Sequence, residues 1–155
     1  MELALRKFTP QLKLVTRSTE VFVNRFPVIY AHNHLREEFG GGWSNLPVSD
    51  LLSVLDAAGV VSLVDLDGGW SEDILNQRLH KYKTVAPERF AIFGGVDWSA
   101  WLEMGNGFGE WAAKRLCGQA ERGAQGLKIW NLLGLSIHDP QGVLPLVDDV
   151  RLDPI

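Results

Sequence analysis

The sequence predicts an α/β fold built on a parallel sheet, and three observations predict it. Short apolar runs alternate with segments of helical periodicity along most of the 155 residues, the pattern of repeated βα units. The runs are mainly apolar rather than alternating, as expected for strands covered on both faces. Polar residues gather at their C-terminal ends: His32 and His34, Asp65 and Asp67, Asp97, and Lys128. That is the end at which α/β proteins assemble their sites.

Residues 1–27 are irregular, mixed in charge, and end at Arg25-Phe26-Pro27, where proline sets a boundary. They are expected to form an N-terminal arm against the body of the domain, residues 28–155. Val28 to Leu35 is the first predicted strand. Val48 to Ala58 has helical periodicity, with Leu51, Leu52, Val54 and Leu55 on a broad face, Ser49 as N-cap and Gly59 as the stop. Val60 to Asp67 is the second strand, ended by Gly68-Gly69. Ser71 opens a second helix that runs to about Val85 and closes near Pro87. Phe90 to Trp98 is the third strand, Glu110 to Arg122 the third helix, and Gln125 to Trp130 the fourth strand. Leu133 to Leu146, around the turn signal Asp139-Pro140-Gln141-Gly142, is expected to form a small hairpin. Asp153-Pro154 has the form of an N-cap and first helical position. The chain is therefore expected to stop at the outset of a fourth helix, truncated before a fifth strand.

Composition bounds the functional classes. With 46% hydrophobic and 22% charged residues, the chain has the balance of a soluble globular domain. The net charge is -4 and no cluster of Lys and Arg stands out, so neither nucleic acid nor an anionic membrane is an expected partner. Cys117 is the only cysteine, which excludes an internal disulfide and fits a reducing compartment. No signal-peptide core and no run of roughly 18 apolar residues is present. The expectation is a cytoplasmic protein acting on a small molecule, with a homo-oligomer left open.

The strongest chemical signal is His32-Asn33-His34. In a strand, residues two apart share a face, so both imidazoles, with Tyr30, should point the same way. Two imidazoles side by side at the end of a strand can bind one divalent ion. A catalytic zinc takes about three protein ligands and one open position, so further donors are needed. The competing reading is a pair of hydrogen-bonded structural histidines.

The stretch Val28-Ile29-Tyr30-Ala31-His32-Asn33-His34-Leu35 resembles the first-strand signature of the amidohydrolase superfamily. It is most similar to the amidohydrolase-related group that includes the aminocarboxymuconate semialdehyde decarboxylase-like enzymes and the dicarboxylate lactonases. Asp56-Ala57-Ala58-Gly59-Val60, Leu66-Asp67-Gly68-Gly69-Trp70, Gly94-Gly95-Val96-Asp97-Trp98 and Gly123 to Ile129 resemble successive segments of that group. Asp148 to Ile155 resembles the approach to its fourth helix. The resemblance covers about residues 26–155. It implies the first four βα units of a (β/α)₈ TIM barrel and one divalent metal ion, with zinc the first expectation. It assigns His32 and His34 as metal ligands. The family's other two ligands, a histidine after strand five and a catalytic aspartate after strand eight, have no counterpart in this chain.

Three residues are candidates for substrate binding. Lys128, between Leu127 and Ile129, should face the barrel interior, either on substrate or in an ion pair with Asp65 or Asp97. Asp97, like Asp67, could orient a ligand histidine or cap a loop. Arg36 could hold a substrate carboxylate with its planar fork or lie solvated on the surface. Trp70 and Trp98 could line a pocket or serve as packing. Gly40-Gly41-Gly42 lacks the context of a phosphate loop. The expected activity is hydrolysis of an amide, lactone or related carbonyl by metal-activated water. A metal-dependent decarboxylase and a non-catalytic α/β binding module, paired through its open strand edges, are the alternatives.

Overall fold

A computed structural model describes residues 9, 11, 14–20, 22–39, 42–69 and 71–155. Four strands, β1 (Val28–Asn33), β2 (Val60–Asp65), β3 (Phe90–Gly94) and β4 (Gly126–Leu127), form one sheet. All neighbours are parallel and their order in space is their order in the chain, β1-β2-β3-β4. Crossovers between parallel strands are right-handed almost without exception. Repeated in one direction, they put the connecting helices on a single face and gather the strand ends at one rim.

Helix α1 (Val48–Ala57) joins β1 to β2 and buries Val48, Leu51 and Leu55. That is one i, i+3, i+7 stripe, so Val54, expected on the buried face, is exposed instead. Pro47 occupies the N-cap position without a side-chain cap, and Ser49 lies inside the helix with its hydroxyl on Asp50. Gly59 ends the helix region with φ of 65°, a conformation that disfavours any side chain. The Asn24 amide donates to Gly59 O at 3.2 Å, fastening the end of the arm; residues 14–20 of the arm are exposed.

Helix α2 (Glu72–Arg78) starts at the expected cap, with Ser71 Oγ accepting from Ile74 N at 3.2 Å. It passes directly into a π-helical turn, Leu79–Lys83. Leu75, Leu79 and Tyr82 face the sheet and pack with Leu35, Leu63, Phe90 and Ile92 in the first core. Cationic side chains tie the loops to this unit. Lys81 Nζ donates to Ser44 O and Leu46 O, at 2.7 and 2.6 Å. Arg89 donates to Val61 O and to Asp56, at 2.8 and 2.6 Å.

After β3 the chain forms a 3₁₀ turn, Trp98–Ala100, then the short helix α3 (Trp101–Met104), absent from the sequence reading, then α4 (Phe108–Glu121). Val96, Trp98, Trp101, Phe108, Ala112 and Leu133 make a second core beyond the strand ends. The predicted strands are too long at their C-terminal ends. β1 stops at Asn33, β2 at Asp65, β3 at Gly94, and β4 is two residues. The apolar residues past β3, such as Val96 and Trp98, are buried in this second core rather than in the sheet.

Instead of a hairpin, residues 133–146 form turns, one closed by Asp139, whose Oδ1 accepts from Gln141 N and Val143 N. Near the C-terminus a 3₁₀ turn, Val150–Leu152, is capped by Asp149, and Asp153 and Pro154 follow it in a turn. Among the described residues, no helix is long and apolar enough to cross a membrane.

Candidate functional site

Strand β1 runs along the edge of the sheet and is mostly exposed. Its pairing with β2 goes from Tyr30↔Leu63 to Asn33↔Asp65. Three steps on β1 match two on β2, so β1 carries an extra residue beside His32. Such bulges re-aim side chains, and this one interrupts the strict alternation along β1. The two histidines nevertheless meet. Their ring centroids are 5.4 Å apart with planes at 70°. Two imidazoles sharing one tetrahedral zinc, at a Zn–N distance of about 2.0–2.1 Å, have ring centres about 5 Å apart.

His34 is held from behind. Its Nδ1 lies 2.9 Å from Asp67 Oδ1. Facing a carboxylate, Nδ1 carries the proton, which makes Nε2 the lone-pair nitrogen of the ring. Asp67 is fully buried. Its second oxygen accepts from Arg36 N at 2.9 Å, while its own N–H donates to Asp65 Oδ1 at 3.2 Å. Asp65 is equally buried, and Arg78 is the cation between them, 3.6 Å from Asp65 and 3.7 Å from Asp67. Burial and the neighbouring Asp67 charge push the Asp65 carboxyl up to about 7, against the pull of Arg78.

Arg78 was missed by sequence reasoning, although a signal existed. Leu75, Arg78, Leu79 and Tyr82 share a helical stripe, and a charge on an apolar stripe requires a buried partner. Trp130 was also missed as a site residue. Its ring stacks on His34, with centroids 5.6 Å apart and planes at 27°. Lys128 Nζ lies over the same ring, 5.4 Å from its centre. Among the described residues Lys128 makes no ion pair. The salt bridge proposed for it with Asp65 is made by Arg78 instead.

Gly69 and Gly95 bring the β2 and β3 loops into contact beneath Trp130. A Cβ on Gly95 would stand 2.6 Å from Gly69 Cα. The Gln119 side chain clamps Gly95 from α4, accepting from its N–H at 3.0 Å and donating to its C=O at 2.8 Å. Beyond this contact opens a cavity of about 700 Å³, with Trp98, Trp130, Leu132, Ile137 and Asp97 among its walls. Asp97 also caps the turn that follows it, accepting from Ser99 N and Ser99 Oγ at 2.9 and 2.6 Å.

The structure thus brings together His32, His34, Asp67 and Trp130, with Lys128 over the Trp130 ring and Asp97 in the wall of the cavity that Trp130 also lines. Arg36 joins this group through its backbone N–H on Asp67, while its guanidinium is bonded to Glu38 and lines a different groove, shared with Arg78 and Lys81. Trp70, Gly40 and Gly41 lie outside the described residues. The donor set fits a divalent ion with two imidazoles, one of them backed by a carboxylate in the manner of metal-bound histidines. Among the described residues, no group of three or more His, Cys, Asp or Glu side chains is placed to hold a metal ion. Compared with protein-family models, curated proteins and solved structures, the chain finds no match in any of the three.

Proposed function

We propose that the chain provides the first four βα units of a (β/α)₈ barrel and the first two metal ligands of a metal-dependent hydrolase. Amides, lactones and related carbonyl compounds are the substrate class. The unbroken strand order supports the barrel, because a doubly wound sheet reverses its order at a switch point and this one does not. Barrels of this kind place their sites at the C-terminal rim, where His32, His34, Asp67 and Trp130 lie.

The observation that carries the proposal is the His34–Asp67 pair beside His32. A buried carboxylate on Nδ1 fixes the tautomer, orients the ring and raises the basicity of Nε2. A bound divalent ion would supply Lewis-acid polarisation of a carbonyl and a water acidic enough to act near neutral pH. The residues of this chain then have separate tasks. His32 and His34 bind, Asp67 orients, and Trp130 covers one face of His34 and shields it from water.

Zinc titration of the purified chain by calorimetry tests the reading. Weak binding is expected in the chain as given, lost in the His32→Ala/His34→Ala protein. Equal zinc uptake by both proteins overturns the ligand assignment.

A further inference from the structure

We propose that Arg78 is a positioning residue of the site: acting through Asp67, it keeps the His34 proton on Nδ1 and so keeps Nε2 open to a metal ion. The inference rests on the reading of His34 as a ligand, but the geometry it explains needs no metal.

Arg78 is the last residue of α2. Leu75, Leu79 and Tyr82 of the same stripe are packed in the first core and carry it inward, where it is 7% exposed. Its Nε stands 3.6 Å from Asp65 Oδ2 and its Nη2 3.7 Å from Asp67 Oδ2. These are ion pairs, longer than hydrogen bonds, and neither Arg78 Nε nor Asp65 Oδ2 has a hydrogen-bond partner among the described residues. What Arg78 brings to the two carboxylates is therefore its charge. Among the described residues no other Lys or Arg side chain pairs with either one. Arg36 and Lys81, the other cations of the adjoining groove, are engaged elsewhere, Arg36 with Glu38 and Lys81 with Ser44 O and Leu46 O.

Asp65 and Asp67 are both fully buried. The Asp67 N–H donates to Asp65 Oδ1 at 3.2 Å, which holds the two carboxylates close together. Like charges so placed, out of water, repel. The Arg36 N–H, 2.9 Å from Asp67 Oδ2, fixes one oxygen and leaves the group free to pivot about it. With the guanidinium paired to both carboxylates the repulsion is offset, and Oδ1 stays on His34 Nδ1 at 2.9 Å. Without it, Asp67 turns from Asp65, and His34 loses the acceptor that selects its tautomer. An imidazole that carries its proton on Nε2 offers no lone pair there, so affinity falls with the competent fraction. An Arg78 that merely ties α2 to β2 would cost stability when removed, but the state of His34 would not depend on the charge of Asp65.

Nitrogen-15 NMR of the imidazoles in the full 155-residue chain, zinc-free and at about pH 8.5 where an ordinary imidazole is neutral, separates the two. Wild type is expected to show His34 with a protonated Nδ1 and a bare Nε2. In Arg78→Met the two resonances should move towards each other, the mark of interconverting tautomers, and zinc should bind about 10-fold more weakly or worse. Arg78→Lys keeps the charge and should keep the wild-type pattern. Arg78→Met/Asp65→Asn removes the cation together with the surplus anion and should restore both the pattern and the zinc affinity. Leu79→Ala, which opens a cavity on the same stripe, should leave the pattern unchanged. His34 resonances unaltered in Arg78→Met overturn the proposal. So does a folded double variant in which the tautomers stay mixed, since Arg78 would then act by packing. Should Arg78→Met not fold, Arg78→Lys and the double variant still decide, because loss of the pattern in either contradicts a role carried by charge. His34 responding as expected in a chain that takes up no zinc would sink the ligand reading and leave the role of Arg78 standing.

Discussion

Two carboxylates and one guanidinium are enclosed between β2 and α2, so Asp65, Asp67 and Arg78 carry one negative charge too many for their surroundings. The excess sits on Asp65, whose carboxyl is pushed up to about 7. A carboxyl raised in the folded state binds its proton more tightly there than in the unfolded chain. The contribution of Asp65 to stability is therefore greatest below about pH 4 and declines as pH rises from about 4 through about 7. Asp65→Asn should abolish that decline, and urea melts at pH 5 and pH 8 measure it; a wild-type protein equally stable at both would refute the assignment. Asp67 has a different task. Asp67→Asn keeps an acceptor for His34 but removes the charge, and should weaken zinc binding about 10–100-fold, read by the same calorimetry. At this scale the sequence was legible where spacing dictates geometry, as for His32 and His34. It was opaque where a partner comes from another element, as Arg78 does for Asp65 and Trp130 for His34.

Among the elements, β4 is the weakest. It pairs with β3 over Gly126 and Leu127, extended by one bond from Lys128 N to Gly94 O at 2.9 Å. What positions Lys128 and Trp130 is therefore less the sheet than the contact of Gly69 with Gly95 and the Gln119 clamp. Gln119→Leu keeps nearly the same volume and leaves the Gly95 N–H and C=O buried without partners. A loss of about 2–4 kcal/mol is expected, measured as a lower urea midpoint at unchanged slope. A variant as stable as the parent would mean that water replaces the amide. The existence and order of the strands were legible, because apolar runs between helical segments can bury themselves in few other ways. Their C-terminal limits were not, because Leu66, Val96 and Trp98 are apolar for a different reason: they are buried beyond the strand ends.

Among the described residues the molecule packs around two cores, and they are expected to respond to acid in opposite ways. The first lies between the sheet and its helices and contains the raised Asp65, so it gains stability as pH falls from about 7 towards 4. The second packs α3 and α4 against the segment after β4. Arg151 secures that segment, bonded to Asp139 and Asp149 at 2.8 and 2.6 Å, with its guanidinium 5.0 Å from the centre of the Trp101 ring. Arg151 lowers both carboxyls, Asp149 to about 2. Carboxyls depressed in this way stabilise the fold above their ordinary range, and the contribution disappears as pH falls from about 4 through about 2. Acid should therefore release the segment before it opens the sheet. Hydrogen exchange at pH 3 and pH 5 reads this directly. Amides of residues 139–152 should lose protection at the lower pH while those of β2 and β3 keep theirs. Arg151→Gln should lower protection of the same segment already at pH 5 and remove most of its pH dependence. Simultaneous loss in both regions would mean that the two cores open as one cooperative unit. The cavity wall contributed by Leu132 and Ile137 would then be as durable as the sheet.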